Sequence, residues 1–205
     1  MPRPQATPEQ KRAARRAILA AAAALYRESG LTDISARAIA ARAEVSVGTL
    51  YTHFASVVEI LQALWQKPVA QVSAELEAIA AATPNPEARL RALLRHYAQF
   101  ALANPAVYRG AFLHVRAEPL PKDARMSPEA TAMHRLLTEA IRAGQGQGEL
   151  VTGNPEILAQ VLWAGIHGVL ALPQNLDRVA LNPAQGQLEP MIDLLMRGLA
   201  ATKSN

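Results

Sequence analysis

Apolar residues recur along this chain at spacings of three and four over almost its whole length, and nowhere alternate at period two over a useful stretch. That is the pattern of amphipathic helices. Proline punctuates it. Five times an Asn or Ser stands immediately before a Pro that opens an apolar run: Asn85-Pro86, Asn104-Pro105, Ser127-Pro128, Asn154-Pro155 and Asn182-Pro183. A capping side chain followed by proline at the first helical position, where the missing N–H costs nothing, marks a helix start. The pattern predicts helices over Pro8–Ser29, Ala36–Ala43, Val47–Thr52, Ser56–Ala82, Pro86–Ala103, Pro105–Val115, Pro128–Ala143, Pro155–Leu172 and Pro183–Ala200. Pro68 is expected to break or kink the fourth, Pro173 to close the eighth and Pro190 to delay or bend the last. Arg116–Met126, with two prolines, and Gly144–Gly153 read as loops, and no fixed-period repeat is present.

Ile34–Phe54 departs from the long-helix pattern. A two-turn helix capped by Ser35, a three-residue turn at Glu44-Val45-Ser46 and a second short helix form the helix-turn-helix pattern. Ile39, Ala43, Val45 and Leu50 supply its apolar contacts, with Ile18, Ala22 and Leu25 of the opening helix placed to cover them.

Composition sharpens this reading. The chain has 205 residues, enough for a real core without metal or disulfide help. It has no cysteine, which removes disulfides, thiolate metal sites and cysteine nucleophiles. Alanine fills 42 positions and aromatics only 4%, so the apolar half of the chain is mostly small residues suited to closely packed helices. No membrane span is expected, because the richest apolar window, Ile157–Leu172, stops at Pro173 short of the roughly 20 residues required. No secretory signal is expected either, since Ala17–Tyr26 lacks a cleavage-like site after it. The net charge of +4 is small, but residues 1–55 carry eight basic residues against four acids, and the remainder is balanced. Lys11, Arg12, Arg15 and Arg16 fall at helical spacing and form one cationic stripe. By itself that is a solvated helix face; beside a helix that reads DNA it is a phosphate-contacting surface.

The run Val45-Ser-Val-Gly-Thr-Leu-Tyr-Thr-His-Phe54, followed by an apolar helix from Ser56, resembles the DNA-binding segment of the tetracycline-repressor (TetR) family of bacterial transcriptional regulators. The close match covers about Ser29–Leu64, and Trp163-Ala-Gly-Ile-His-Gly168 resembles a Trp, His, Gly signature of one subgroup's ligand and dimerisation domain. The resemblance implies an all-α fold with a three-helix DNA-binding domain over residues 1–55 and a ligand-binding and dimerisation bundle over 56–205. It implies that Val47–Thr52 is the recognition helix, introduced by Ser46, with Gly48 permitting close approach and Thr49 and Thr52 at the groove surface. Arg37 matches a position that reaches a base edge or phosphate. Tyr51 and His53 match phosphate-contacting positions, while Lys11 and Arg12 extend the basic surface. Ser56 would cap the next helix. Two positions depart from the family pattern: Glu44 stands where Gly is usual, and Val57 where a phosphate-binding Lys is common. For Phe54 a core role is the better reading.

The body is electrically balanced. Leu158, Val161, Leu162, Ile166, Val169 and Leu170, then Met191, Ile192, Leu194, Leu195 and Leu199, make the last two helices apolar on more than one face, which calls for burial on both sides. Pairing with a second copy through these helices satisfies that, and the resemblance implies such a homodimer on palindromic double-stranded operator DNA. Trp65, Tyr97, Phe100, Tyr108, Phe112, Met133 and Trp163 read singly as core filler; together with His96, His114, His134 and His167 they could line an apolar pocket for a small apolar or aromatic effector. His167, inside an apolar window, must find a hydrogen-bond partner, either a ligand or a neighbouring carbonyl. No cofactor or metal is expected, and no catalytic motif is present: there is no Glu-x-x-His pair, nucleophile elbow or phosphate-cradling glycine loop. The expectation is therefore a cytoplasmic, ligand-released repressor and not an enzyme. The alternative is a helical protein-binding adaptor, which leaves the basic front segment unexplained, or a helical-bundle enzyme.

Overall fold

The computed structural model describes residues 7–30, 33–112, 128–176 and 178–201, without the side chains of 128–130. Among these residues it holds nine helices: α1 (Pro8–Ser29), α2 (Ala36–Arg42), α3 (Val47–His53), α4 (Val57–Ala82), α5 (Pro86–Ala103), α6 (Pro105–Phe112), α7 (Pro128–Gly146), α8 (Pro155–Asn175) and α9 (Ala184–Leu199). The only pairing of extended backbone described is an isolated antiparallel bridge between Leu150 and Ala200, which ties the segment after α7 to the end of α9.

Local chemistry accounts for most helix starts. Thr7 and Gln10 form a reciprocal capping box on α1. Ser35, Ser46, Asn85 and Asn154 each accept a backbone N–H of the first turn of the helix they precede. Two Asn-Pro pairs behave differently from the sequence expectation. The Asn104 side chain donates backwards to Phe100 O and closes α5. At the last helix Pro183, not Asn182, holds the cap position, with no side-chain cap.

The prolines also break less than expected. α4 continues through Pro68 and α9 through Pro190. α8 passes Pro173, which leaves only Val169 O without its helical donor, and ends at Asn175, where the Gln174 and Asn175 side-chain amides donate to Leu170 O and Ala171 O in the last turn. At 21 residues α8 is long and apolar enough to cross a bilayer by length and composition alone. Ala159, Leu162, Ile166, Val169 and Leu170 nevertheless bury its inner face against protein. α7 reaches Gly146, three residues into the expected loop, and α6 ends at Phe112 among the described residues. The cap at Ser127, the loop Arg116–Met126 and His114 lie outside them.

The chain forms two compact units, Met1–Pro68 with Arg109–His114 and Val69–Tyr108 with Val115–Asn205. In the first, Ile18, Ala21 and Ala22 of α1, Ile39 and Ala40 of α2, Leu50 of α3, Phe54 at the end of α3 and Ile60 of α4 form one core. Trp65 stacks edge-on against Tyr26 and lies across Gly110, where a Cβ would come within 2.4 Å of its ring. Gly110→Ala is therefore expected to cost about 1–3 kcal/mol by overpacking, read as a lowered urea midpoint; an unchanged midpoint would mean that Trp65 moves aside freely. In the second unit α5 packs on α7, α8 and α9, and α8 on both α7 and α9. Arg91–Asp193 and Arg95–Glu189 cross-link α5 to α9 on the surface.

Candidate DNA-binding and effector sites

The turn before α3 is built by a Schellman arrangement: Val45 N–H donates to Ala40 O and Glu44 N–H to Ala41 O. That geometry puts Glu44 at φ 54°, the left-handed region in which a side chain is strained. The turn thus keeps its shape with glutamate in the glycine position. Glu44→Gly is expected to stabilise the protein by about 0.5–1 kcal/mol, measurable as a rise in unfolding midpoint; a fall would show that Glu44 makes a compensating contact.

Ser46 caps α3 by accepting the Thr49 N–H and shares a second hydrogen bond with the Thr49 hydroxyl. The Thr52 hydroxyl donates to Thr49 O. Both threonine hydroxyls are thus engaged locally, which spacing alone does not reveal. Leu50 and Phe54 face the core, and Phe54 is only 2% exposed, as its reading as a core residue required. Val47, Gly48, Tyr51 and Thr52 are exposed on the opposite side, Tyr51 by 50%, and His53 is half-buried. At the next helix the Ser56 hydroxyl accepts the Glu59 N–H, as expected of a cap, while Val57 packs against the front core.

The cationic stripe is not uniform. Lys11, Arg12, Arg16 and Arg37 are exposed and make no ion pair or side-chain hydrogen bond among the described residues. Arg42 is taken by Glu28 in a two-pronged pair at 2.6 and 3.0 Å, and Arg27 reaches back to Ala23 O. Arg15 turns inward to His53 O. The first unit thus holds both a short helix with one exposed face and cations that are unpaired among the described residues, the two ingredients of a surface that binds phosphates and base edges.

In the second unit the structure gathers Tyr97 of α5, Tyr108 of α6 and Trp163 and His167 of α8. The His167 ring hydrogen-bonds on both sides, Nε2 with the Tyr97 hydroxyl and Nδ1 with the Tyr108 hydroxyl, each at 2.9 Å. A neutral imidazole has one donor and one acceptor, so one tyrosine donates to it and the other accepts. Burial pushes the His167 pKa down to about 4 and raises both phenols above their ordinary value. Trp163 packs edge-on against both His167 and Tyr97, and its buried indole N–H makes no full hydrogen bond among the described residues, interacting only weakly with the Tyr97 hydroxyl. The other expected pocket residues are distributed over both units. Trp65 and Phe112 belong to the first unit, Met133 is in the α7 core, and Phe100 is half-buried on α5. His96 pairs with Glu75 across α4 and α5, and His134 with Glu156 O.

A front helix-turn-helix unit with unpaired cations, joined to a helical body with its own polar cluster, is the architecture of a DNA-binding regulator. Residues 18–64 match the family described as bacterial regulatory proteins, tetR family, and residues 90–199 match a tetracyclin repressor-like C-terminal domain. An uncharacterized HTH-type transcriptional regulator of Mycobacterium tuberculosis is 30% identical over 167 residues, 80% of this chain and 76% of its own. The HTH-type transcriptional repressor KstR of the same species is 37% identical over 78 residues, 37% of this chain and 36% of its own. A solved complex of SmeT, the repressor of a Stenotrophomonas maltophilia multidrug efflux pump, with triclosan shares the fold at a TM-score of 0.64 and 20% identity over 93% of each chain. The chain belongs to the tetR family of bacterial regulatory proteins, and its all-α fold carries a transcriptional regulator, not an enzyme.

Proposed function

We propose that the protein is a cytoplasmic homodimeric repressor that binds a palindromic operator through α3 and is released by an uncharged apolar or aromatic effector held in the body. The observation that carries the DNA-binding part is the exposed face of α3, with Tyr51 50% exposed, in one compact unit with the exposed cations Lys11, Arg12 and Arg37, which make no ion pair among the described residues. Ser46, Val47, Gly48, Thr49, Tyr51, Thr52 and His53 complete this surface, with the functional boundary between DNA reading and ligand sensing near residue 55. Each phosphate contact removed lowers the slope of log affinity against log salt by roughly 0.9, so each cation substituted in a dimer should lower it by about 1.8. Arg12→Met leaving the slope unchanged would contradict the assignment.

The dimer is proposed from the outer faces of α8 and α9. Ile157, Val161, Ala164 and Leu172 form an exposed apolar stripe on α8 with the half-buried Gly168 along it, and Gly186, Pro190, Leu194 and Gly198 a second on α9. Cβ positions at Gly168, Gly186 and Gly198 meet open space, so a partner helix can approach closely. A shallow surface groove of about 340 Å³ lined by Val169, Gly186, Met191 and Leu194 lies on the same side.

Effector binding is assigned to Tyr97, Tyr108, Trp163 and His167, with Trp65, Phe100, Phe112 and Met133 as secondary candidates. The support is chemical. The ring groups of the cluster are neutral at physiological pH, so a charged ligand would lose its hydration with no countercharge from them. The buried Trp163 N–H, whose interaction among the described residues is a weak one with the Tyr97 hydroxyl, would gain from a ligand oxygen as its acceptor. Release then follows from a population shift: effector that fits one body conformation alters the spacing of the two recognition helices, and operator DNA weakens effector binding by the same factor.

A further inference from the structure

Arg15 stands in the middle of the cationic stripe, yet its surroundings differ from those of its neighbours. Its Nη1 donates to His53 O at 2.9 Å, and its guanidinium lies over the Phe54 ring, 4.1 Å from the centroid. His53 closes α3, a helix of only seven residues whose last carbonyls have no partner within the helix. Phe54, locked in the front core, is a fixed platform for the flat guanidinium. The donated hydrogen bond places a positive charge at the negative end of α3. Lys11, Arg12 and Arg16, on the same helix as Arg15, make no such contact among the described residues.

We infer that Arg15 is a positioning residue for DNA recognition: it pins the last turn of α3, which carries Tyr51, Thr52 and His53, to α1, which carries Lys11 and Arg12, and contacts no phosphate itself. This rests on the reading of α3 as the recognition helix. Arg15 fixes the register between the surface that reads bases and the cations that hold the backbone. Loosening it costs discrimination while leaving the charge count at the phosphates unchanged.

The test uses the full-length protein and a duplex that the wild type selects from a random-sequence pool, with each variant assayed where it is fully folded. Arg15→Met should lower affinity for the selected duplex about tenfold, the loss of one charge-assisted hydrogen bond. Affinity for random duplex and the salt slope should stay at wild-type values, and Arg15→Lys, which lacks the planar fork, should not restore discrimination. Arg12→Met should instead lower the salt slope by about 1.8. A slope change of that size in Arg15→Met, with recovery in Arg15→Lys, would make Arg15 a phosphate ligand and overturn the inference. Unchanged discrimination with only a lower melting temperature would overturn it too, leaving Arg15 a stability contact. Selection of no preferred sequence by the wild type would remove the recognition reading itself, a failure distinct from either.

Discussion

Replacing Val161 and Leu194 together by arginine is expected to convert the protein from a dimer of about 44 kDa, twice its 22.0 kDa chain, to a monomer in light scattering. Both side chains are more than half exposed in the isolated chain, at 54% and 59%, so the substitutions should cost the fold little. Two arginines facing their own copies across a two-fold axis would meet buried like charges, which neither water nor a counter-ion can reach. Operator affinity should fall by roughly 10²–10⁴-fold, because a monomer loses the effective concentration of the second half-site. Retention of the dimer would place the interface elsewhere.

Acidification should destabilise the protein through His167. Its folded pKa of about 4 lies below the roughly 6.5 of an exposed histidine, so the unfolded chain takes up a proton first as pH falls. The stability tied to the neutral ring is complete above pH about 6.5, is lost progressively between about 6.5 and 4, and changes no further below that range. The loss should be about 2 kcal/mol, less than the full linkage value because the ring is only partly enclosed. Protonation also turns both ring nitrogens into donors, so the tyrosine that had donated must reorient. His167→Gln keeps a neutral hydrogen-bonding side chain, and the wild-type excess of acid sensitivity should vanish in it. Urea midpoints measured at pH 7 and 4.5 that fall equally in both proteins would exclude His167 as the cause. The surface carboxylates Glu28, Glu75 and Glu189, held below their ordinary pKa mainly by hydrogen bonds from Arg42, Gln71 and Arg95, contribute the same acid loss to both.

These predictions draw on two kinds of information. Helix periodicity, the Asn85 and Asn154 caps and the Ser35 cap of α2 are local, and the sequence carried them. Asn104 misled because a side chain between two helices can close one as readily as open the next. Pro173 misled because a proline removes a single i→i−4 hydrogen bond, which a helix of 21 residues can lose and still continue for two more residues. The cationic stripe was legible as a stripe, but spacing cannot tell a free Arg12 from an Arg15 that is folded onto His53, 38 residues away. His167 illustrates the same limit. That it needed partners followed from its apolar window, but their identity as Tyr97 and Tyr108, 70 and 59 residues distant, depends on how α5, α6 and α8 pack. The aromatic residues grouped by composition belong to both units, with Trp65 against Tyr26 and Gly110 in the front unit and Trp163 against the histidine in the second.

The central claim is that the exposed face of α3 and its unpaired cations read a specific operator. Titration of the full-length protein against its own promoter duplex and against random duplex, at one salt concentration, tests this most directly. Binding to the promoter should be at least about 10³-fold tighter; equal affinity for the two duplexes would rule out sequence reading by α3.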